Sequence, residues 1–245
     1  MTRFARGFVI FCVVIALWEG LYRLGLINPL LIGAPSLIAS AALKDGGTFL
    51  LASRVTAFEI VVATAIAWVG GVSLGVIVGG SIRSTMVFSP IFSAMIAVPL
   101  VVLYPVIVAW TGIGPTSKIV YGAAAGFFPI ALAAASGVSA IDRRYADMAR
   151  ALGASRGQIL LQVMTRLALP TILSGLRVGT SLVIISVVQS EMLSAVNGLG
   201  FWISYYRSLF DVGHVYFGIL LVLLMAAAAN AVLTQVERRF RWVKG

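Results

Sequence analysis

Charge is scarce in this 245-residue chain, with Asp, Glu, Lys and Arg together making up 11% of it. That is less than half of the roughly 25% typical of soluble domains. Cysteine is nearly absent: Cys12 stands alone, which excludes an intrachain disulfide framework. His214 is the single histidine and lies far from Cys12 in sequence, so no pair has metal-ligand spacing. The three lysines are Lys44, Lys118 and Lys244, and none closes a G-x-x-x-x-G-K-[ST] loop. The chain therefore has no Gly-rich cradle for nucleotide phosphates. No nucleophile–base set is visible, so a membrane-embedded enzyme is a poor reading. The alternating pattern of a membrane barrel is missing as well.

Apolar sequence is abundant. Hydrophobic residues make up 60% of the chain and mean hydropathy is +1.05. A soluble core of this size cannot hide so much apolar surface, which excludes an ordinary soluble enzyme, a nucleic-acid-binding domain and a disordered chain. The composition points to an all-α integral membrane protein in contact with lipid. Its 25 Gly and eight Pro fit, since both are commoner in membrane helices than in soluble ones.

Six long apolar runs cover roughly residues 7–27, 55–80, 86–110, 117–139, 170–196 and 213–235. Each is near or above the ~20 residues a helix needs to cross the hydrocarbon layer. The first follows Arg3 and Arg6 but lacks a small-x-small cleavage site, so it reads as an uncleaved span. With both termini placed inside, Arg3, Arg6, Arg83, Arg143, Arg144, Arg150, Arg156, Arg166, Arg238, Arg239, Arg241 and Lys244 fall on the inner side. Only Lys44, Arg54, Lys118 and Arg207 fall outside, a clear positive-inside bias. The scattered basic residues are thus a topology signal and not a nucleic-acid site.

Residues 140–169 separate the fourth and fifth runs on the inner side. Ser139 to Asp142 and Ser155 to Gln158 both fit a capping box, and Gly153 between them is a natural helix stop. The stretch predicts two short helices joined by a glycine turn. Glu19 and Arg23 are i,i+4 partners on the first run. Glu59 is placed to pair with Arg54. Glu191 is an ionisable group inside an apolar run, with two readings: it orders a gate or lines a wet path, or it makes a structural hydrogen bond to nearby backbone. Pro90, Pro99, Pro105 and Pro129 fall within or near the third and fourth runs, where each can kink its helix. Gly71, Gly75 and Gly79 share a helix face suited to close packing. Trp202, Tyr205 and Tyr206 lie in the last outer loop as interfacial anchors.

At the inner segment the chain resembles a known family. Asp147-Met148-Ala149, three residues, then Gly153 is similar to the "EAA…G" loop of bacterial ABC importer permeases. Asp147 stands for Glu, Met148 for the first Ala, and Pro170 matches a later family proline. The family's Leu-Pro falls at Thr165-Arg166 here. Pro99 through Tyr104-Pro105, followed by Trp110-Thr-Gly112-Ile-Gly114, resembles a stretch of the nitrate/sulfonate/taurine type permeases. Ser190-Glu191-Met192-Leu193 with Gly198-Leu199-Gly200 resembles their "A-E-M…G-L-G" signature, and Glu237-Arg238-Arg239 with Trp242 closes the likeness.

The resemblance implies six transmembrane helices with cytoplasmic termini, an N-terminal span and outer loop over 1–54, and a permease domain over 55–245. It implies a coupling helix, with Asp147, Ala149, Leu152, Gly153, Ala154 and Ser155 meeting a cytoplasmic ATPase that holds ATP and Mg. It implies a path or gate at Pro99, Tyr104, Pro105, Ser190, Glu191 and Met192. The implied partners are ATP-binding subunits, a second permease subunit (a homodimer ahead of a heterodimer) and an extracytoplasmic solute-binding protein. No catalytic residue, metal or bound cofactor is implied for this chain. The cargo would be nitrate-, sulfonate- or taurine-like, or vitamin- or pyrimidine-like. The rival reading is an ion-coupled secondary carrier, for which Glu59 and Glu191 are the only acids available.

Overall fold

The computed structural model describes residues 3–240. They form α1 (Arg3–Arg23), α2 (Pro35–Gly79), α3 (Ile82–Ala97), α4 (Leu100–Thr111), α5 (Pro115–Ser139), α6 (Arg143–Ala151), α7 (Arg156–Gln158), a π-helical turn (Ile159–Met164), α8 (Thr165–Ser194), α9 (Leu199–Ser208) and α10 (Val212–Phe240). No strand occurs among the described residues. Arg241, Trp242 and Lys244, used above, lie outside them.

Among the described residues four helices are long and apolar enough to cross a membrane: Pro35–Gly79, Pro115–Ser139, Arg156–Ser194 and Val212–Arg239. The pair α3 and α4 makes a fifth if its two limbs count as one span. α1, the first of the six expected runs, is not among these.

Three helical elements depart from the sequence reading. Residues 35–54 are not loop, because α2 begins at Pro35 and runs 45 residues. Pro35 suits a first helical position, where its missing N–H costs nothing. The helix is interrupted only by a kink at Asp45, whose backbone is non-helical (φ −119°, ψ 17°). The run 86–110 is broken into two helices meeting at 90°. Pro99 drives this by forcing Val98 into extended backbone (φ −68°, ψ 126°). Pro90, Pro105 and Pro129 stay inside their helices. Finally, Trp202, Tyr205 and Tyr206 sit on a helix, α9, and not in a loop.

The described residues divide into two compact units, one of residues up to 56 with 191–224, the other of 57–190 with 225 onward. In the second unit α5 is the central helix. Gly71, Gly75 and Gly79 form the close seam expected of them. A Cβ on Gly71 would lie 2.9 Å from Ile130, and one on Gly79 would lie 2.6 Å from the Ala135 carbonyl. On the other side Gly179 of α8 meets Ile130, while Gly122 and Gly126 of α5 admit Val187 and Val183. Such small-residue seams are how helices associate in lipid, where packing replaces hydrophobic drive. Trp68 adds an indole N–H donated to Thr180 Oγ1 at 3.0 Å.

The first unit is aromatic. Phe49 is fully buried among Trp202, Tyr206, His214 and Phe217. Trp18 of α1 meets Tyr216 edge-on, with ring centroids 6.2 Å apart. Glu19 holds Arg23 at 2.7 Å, as the i,i+4 spacing predicts.

Candidate functional site: inner helical turn, broken span and capped helix

The inner segment folds as a helix–turn–helix. Asp142, and not Ser139, caps α6: its Oδ1 accepts the Arg144 N–H at 2.9 Å, while the Ser139 hydroxyl donates to the Ser136 carbonyl. An extended residue is needed at the cap, and α5 is still helical at Ser139. α6 ends in a full Schellman turn. Gly153 (φ +83°) donates to Arg150 O and Ala154 donates to Ala149 O, both at 3.0 Å. Ser155 then opens α7 with the expected capping box: its Oγ accepts from Gln158 N, and its N–H donates to Gln158 Oε1 at 2.8 Å.

Asp147 is exposed and paired with Arg150 at 2.8 Å. Tyr145, Met148 and Leu152 follow at i, i+3 and i+7, on one face of α6. They are 51%, 66% and 88% exposed. Ala149 lies half-buried beside them. The result is a rigid, capped element with an apolar outer face.

The expected path residues fall into two groups. In the second unit, Tyr104 is buried and its hydroxyl donates to the Ser190 carbonyl at 3.3 Å. Its ring meets Tyr121 edge-on, at 5.0 Å between centroids, and Tyr121 donates to Gln189 Oε1 at 2.9 Å. The Ser190 hydroxyl turns back to Val187 O at 2.7 Å. Pro99 and Pro105 are exposed, Pro99 at the break and Pro105 one residue after Tyr104. A cavity of about 270 Å³ opens at this break, with Tyr121, Ser186 and Gln189 as polar lining amid apolar residues.

In the first unit, Glu191 is 1% exposed. Its carboxylate accepts the Thr56 hydroxyl at 2.7 Å and the Gly200 N–H at 2.8 Å. Thr56 Oγ1 in turn accepts the Leu199 N–H at 2.9 Å. Leu199 and Gly200 are the first two residues of α9, so Glu191 and Thr56 jointly satisfy free amides at a helix start, where a negative charge is also favoured. Gly198 has φ +115°, and a Cβ there would run into the Glu191 carboxylate. The Met192 carbonyl accepts from Ser204 at 3.3 Å. Of the two readings of Glu191, the hydrogen bond to backbone is therefore present.

Sequence reasoning misplaced one ion pair and missed one cluster. Glu59 pairs with Lys118, not Arg54, and both side chains are buried, at 0% and 5% exposure. Lys118 occupies the first turn of α5. The signal was an ionisable group at the edge of an apolar run, which usually faces protein. The cluster joins His214 to Asp45 (2.9 Å) and Asp211 (2.8 Å), with Tyr206 donating to Asp45. Burial and the Asp45 carboxylate push the Tyr206 hydroxyl up to about 12.

These elements can be set beside known proteins. Residues 71–242 match the model of the family described as binding-protein-dependent transport system inner membrane component. The chain belongs to that family. It is a multi-pass permease of the inner membrane, and both the α6–α7 turn and the Glu191–Gly200 cap lie within the matched residues. The taurine transport system permease protein TauC of Escherichia coli (strain K12) is 30% identical over 236 residues, covering 93% of this chain and 85% of that one. The formylaminopyrimidine transport permease protein ThiX of Halalkalibacterium halodurans is 25% identical, covering 93% and 91%. The solved MetNI methionine ABC transporter, in inward-facing conformations, has a chain similar in fold, with a TM-score of 0.67 and 19% identity over 79% of this permease and 96% of that chain.

Proposed function

We propose that this permease supplies half of the translocation path of an ATP-driven importer and takes its energy through the α6–α7 turn. ATP and Mg are held by a separate cytoplasmic ATPase. The observation that carries this is the exposed Tyr145–Met148–Leu152 face on an element fixed by a cap at each end. An apolar face in water calls for a partner. The α6–α7 element joins α5 directly to α8, so a push on it moves two spans as a rigid body.

In this reading the chain crosses the membrane six times, with α1 as the first span and both termini cytoplasmic, and two copies pair around the path. Pro99, Tyr104, Pro105, Ser190, Glu191 and Met192 form the path or gate, and a solute-binding protein delivers cargo from outside. The named relatives favour a small taurine-like sulfonate or a pyrimidine-like solute. An ion-coupled carrier finds less support, because Glu59 is matched by Lys118 and Glu191 accepts from the Gly200 N–H and the Thr56 hydroxyl.

Co-purification with the cognate ATPase tests the proposal. Wild type retains the ATPase in mild detergent and Gly153→Asp releases it. An ATPase that never associates with the wild type overturns the reading.

A further inference from the structure

A cavity of about 640 Å³ opens against the α6–α7 element. Its rim carries Arg143, Arg150 and Arg156, with Asp147 as its only acid. Asp147 holds Arg150 at 2.8 Å, so one of the three guanidiniums is neutralised. Among the described residues Arg143 and Arg156 make no ion pair. The apolar part of the lining, less exposed than the arginines, includes Ile141, Leu160 and Met164. Leu160 and Met164 belong to the π-helical turn Ile159–Met164, and such turns recur at functional sites. Ser81, also on the lining, caps α3 without a side-chain hydrogen bond, which leaves helix-start amides open at the same place.

A cationic rim with an apolar lining is the negative image of one kind of molecule: an amphiphile with an anionic head. We propose that this cavity binds a phosphate group, and specifically that of an anionic phospholipid, with its head on Arg143 and Arg156 and the start of its chains on the apolar lining. Guanidinium is the side chain best matched to phosphate oxygens. Basic pockets between spans on the cytoplasmic side are known to take lipid heads. α6 also opens with Arg143 and Arg144 in its first turn, where the helix dipole disfavours cations, and a bound anion offsets that cost. The inference rests on the proposed orientation, which puts the coupling turn at the inner leaflet. Lipid bound there would touch the element that receives the ATPase stroke, so membrane composition would tune coupling.

The test uses the full chain in neutral detergent, with lipid retention read by native mass spectrometry. Short-chain phosphatidylglycerol is the probe, phosphatidylcholine the uncharged control, and inorganic phosphate the soluble alternative. Phosphatidylglycerol is expected to bind the wild type at least about tenfold more tightly than phosphatidylcholine. R143Q/R156Q weakens it about fivefold per guanidinium removed. R238Q/R239Q, equally basic but away from the cavity, leaves it in place. Arg156→Gln alone serves where the double variant is poorly produced. Inorganic phosphate that competes with the lipid at equal strength supports the phosphate site and moves its source to the cytosol. Equal phosphatidylglycerol binding by wild type and R143Q/R156Q, or an equal loss in R238Q/R239Q, overturns the proposal. ATPase retention is scored on the same samples, so a chain that holds lipid but no ATPase defeats the importer reading and leaves this one standing.

Discussion

The carboxylate of Glu191 accepts the backbone N–H of Gly200 at 2.8 Å, nine residues ahead of it in the chain. The contact converts a sequence signature into a structural device. The chain leaves α8, turns at Gly198, and restarts as α9 under the acid it has just passed. Thr56, 135 residues away, completes the cap from α2. Whatever α9 does during transport, its start is tied to Glu191.

Removing that acid should therefore destabilise the protein before it alters selectivity. Glu191→Ala leaves the Gly200 N–H without its buried acceptor and the Thr56 hydroxyl with only the Ala52 carbonyl at 3.2 Å. Hydrogen bonds to charged groups are worth about 1.5–3 kcal/mol each, so a loss of roughly 3 kcal/mol is expected. Glu191→Gln keeps one acceptor and should lose about half. Thermal unfolding in detergent reads both. A Glu191→Gln protein of unchanged stability that no longer transports would make Glu191 a gating group first.

Gly198→Ala should be as damaging as Glu191→Ala. The residue sits at φ +115°, which non-glycine residues avoid, and the new methyl would overlap the Glu191 carboxylate. Because both changes disrupt one cap, the double variant should cost clearly less than the two losses added together. Additive losses would show that Gly198 acts through its backbone alone.

The Lys118–Glu59 pair makes the opposite test, since a buried ion pair is weak evidence for stability while half of one is costly. Lys118→Met or Glu59→Leu alone should destabilise by about 3–5 kcal/mol, and the two together should recover most of that. Unfolding midpoints of the three variants decide it. A double variant no better than the singles would mean that the pair holds something besides itself.

How far the sequence carried these findings depends on the range of the interaction. The Gly71–Gly75–Gly79 seam is legible because its repeat is local and its meaning purely steric. The α7 capping box and the Gly153 stop are legible for the same reason. The broken span is half legible: three prolines mark the region, but only Pro99 breaks it, since Pro90 and Pro105 are accommodated within helices. Glu191 stands out as a charge in an apolar run, yet its partner Thr56 carries no sequence signal. Glu59 has Arg54 near it in sequence, whereas its partner Lys118 lies on another helix, beyond the reach of a local pattern.

The Asp211 carboxyl gives a prediction in pH. Burial alone would raise it, but hydrogen bonds from the His214 ring and backbone outweigh burial and hold it below its ordinary 3.8. A folded-state value below the unfolded one means the contribution is present above the unfolded value and lost as pH falls through the folded one. The stability difference between wild type and Asp211→Asn should thus be present at neutral pH and shrink to nothing as pH drops below about 4. A difference that grows in acid would reverse the sign of the assignment.

Leu152 offers the cleanest separation of coupling from folding. It is 88% exposed at the C-cap of α6, so Leu152→Asp removes almost no packing and should change stability by no more than about 0.5 kcal/mol. Its exposure has a use only if a partner covers it. Burying a charge in that contact without a counter-charge is expensive, and the association should weaken at least about tenfold. Reconstituted with ATPase and binding protein, the variant should fold, insert and bind the delivery protein, yet fail to link ATP hydrolysis to uptake. If Leu152→Asp transports normally, the apolar face of α6 is not the surface through which the stroke arrives, and the contact must be sought on the far side of Gly153, at Ala154 and Ser155.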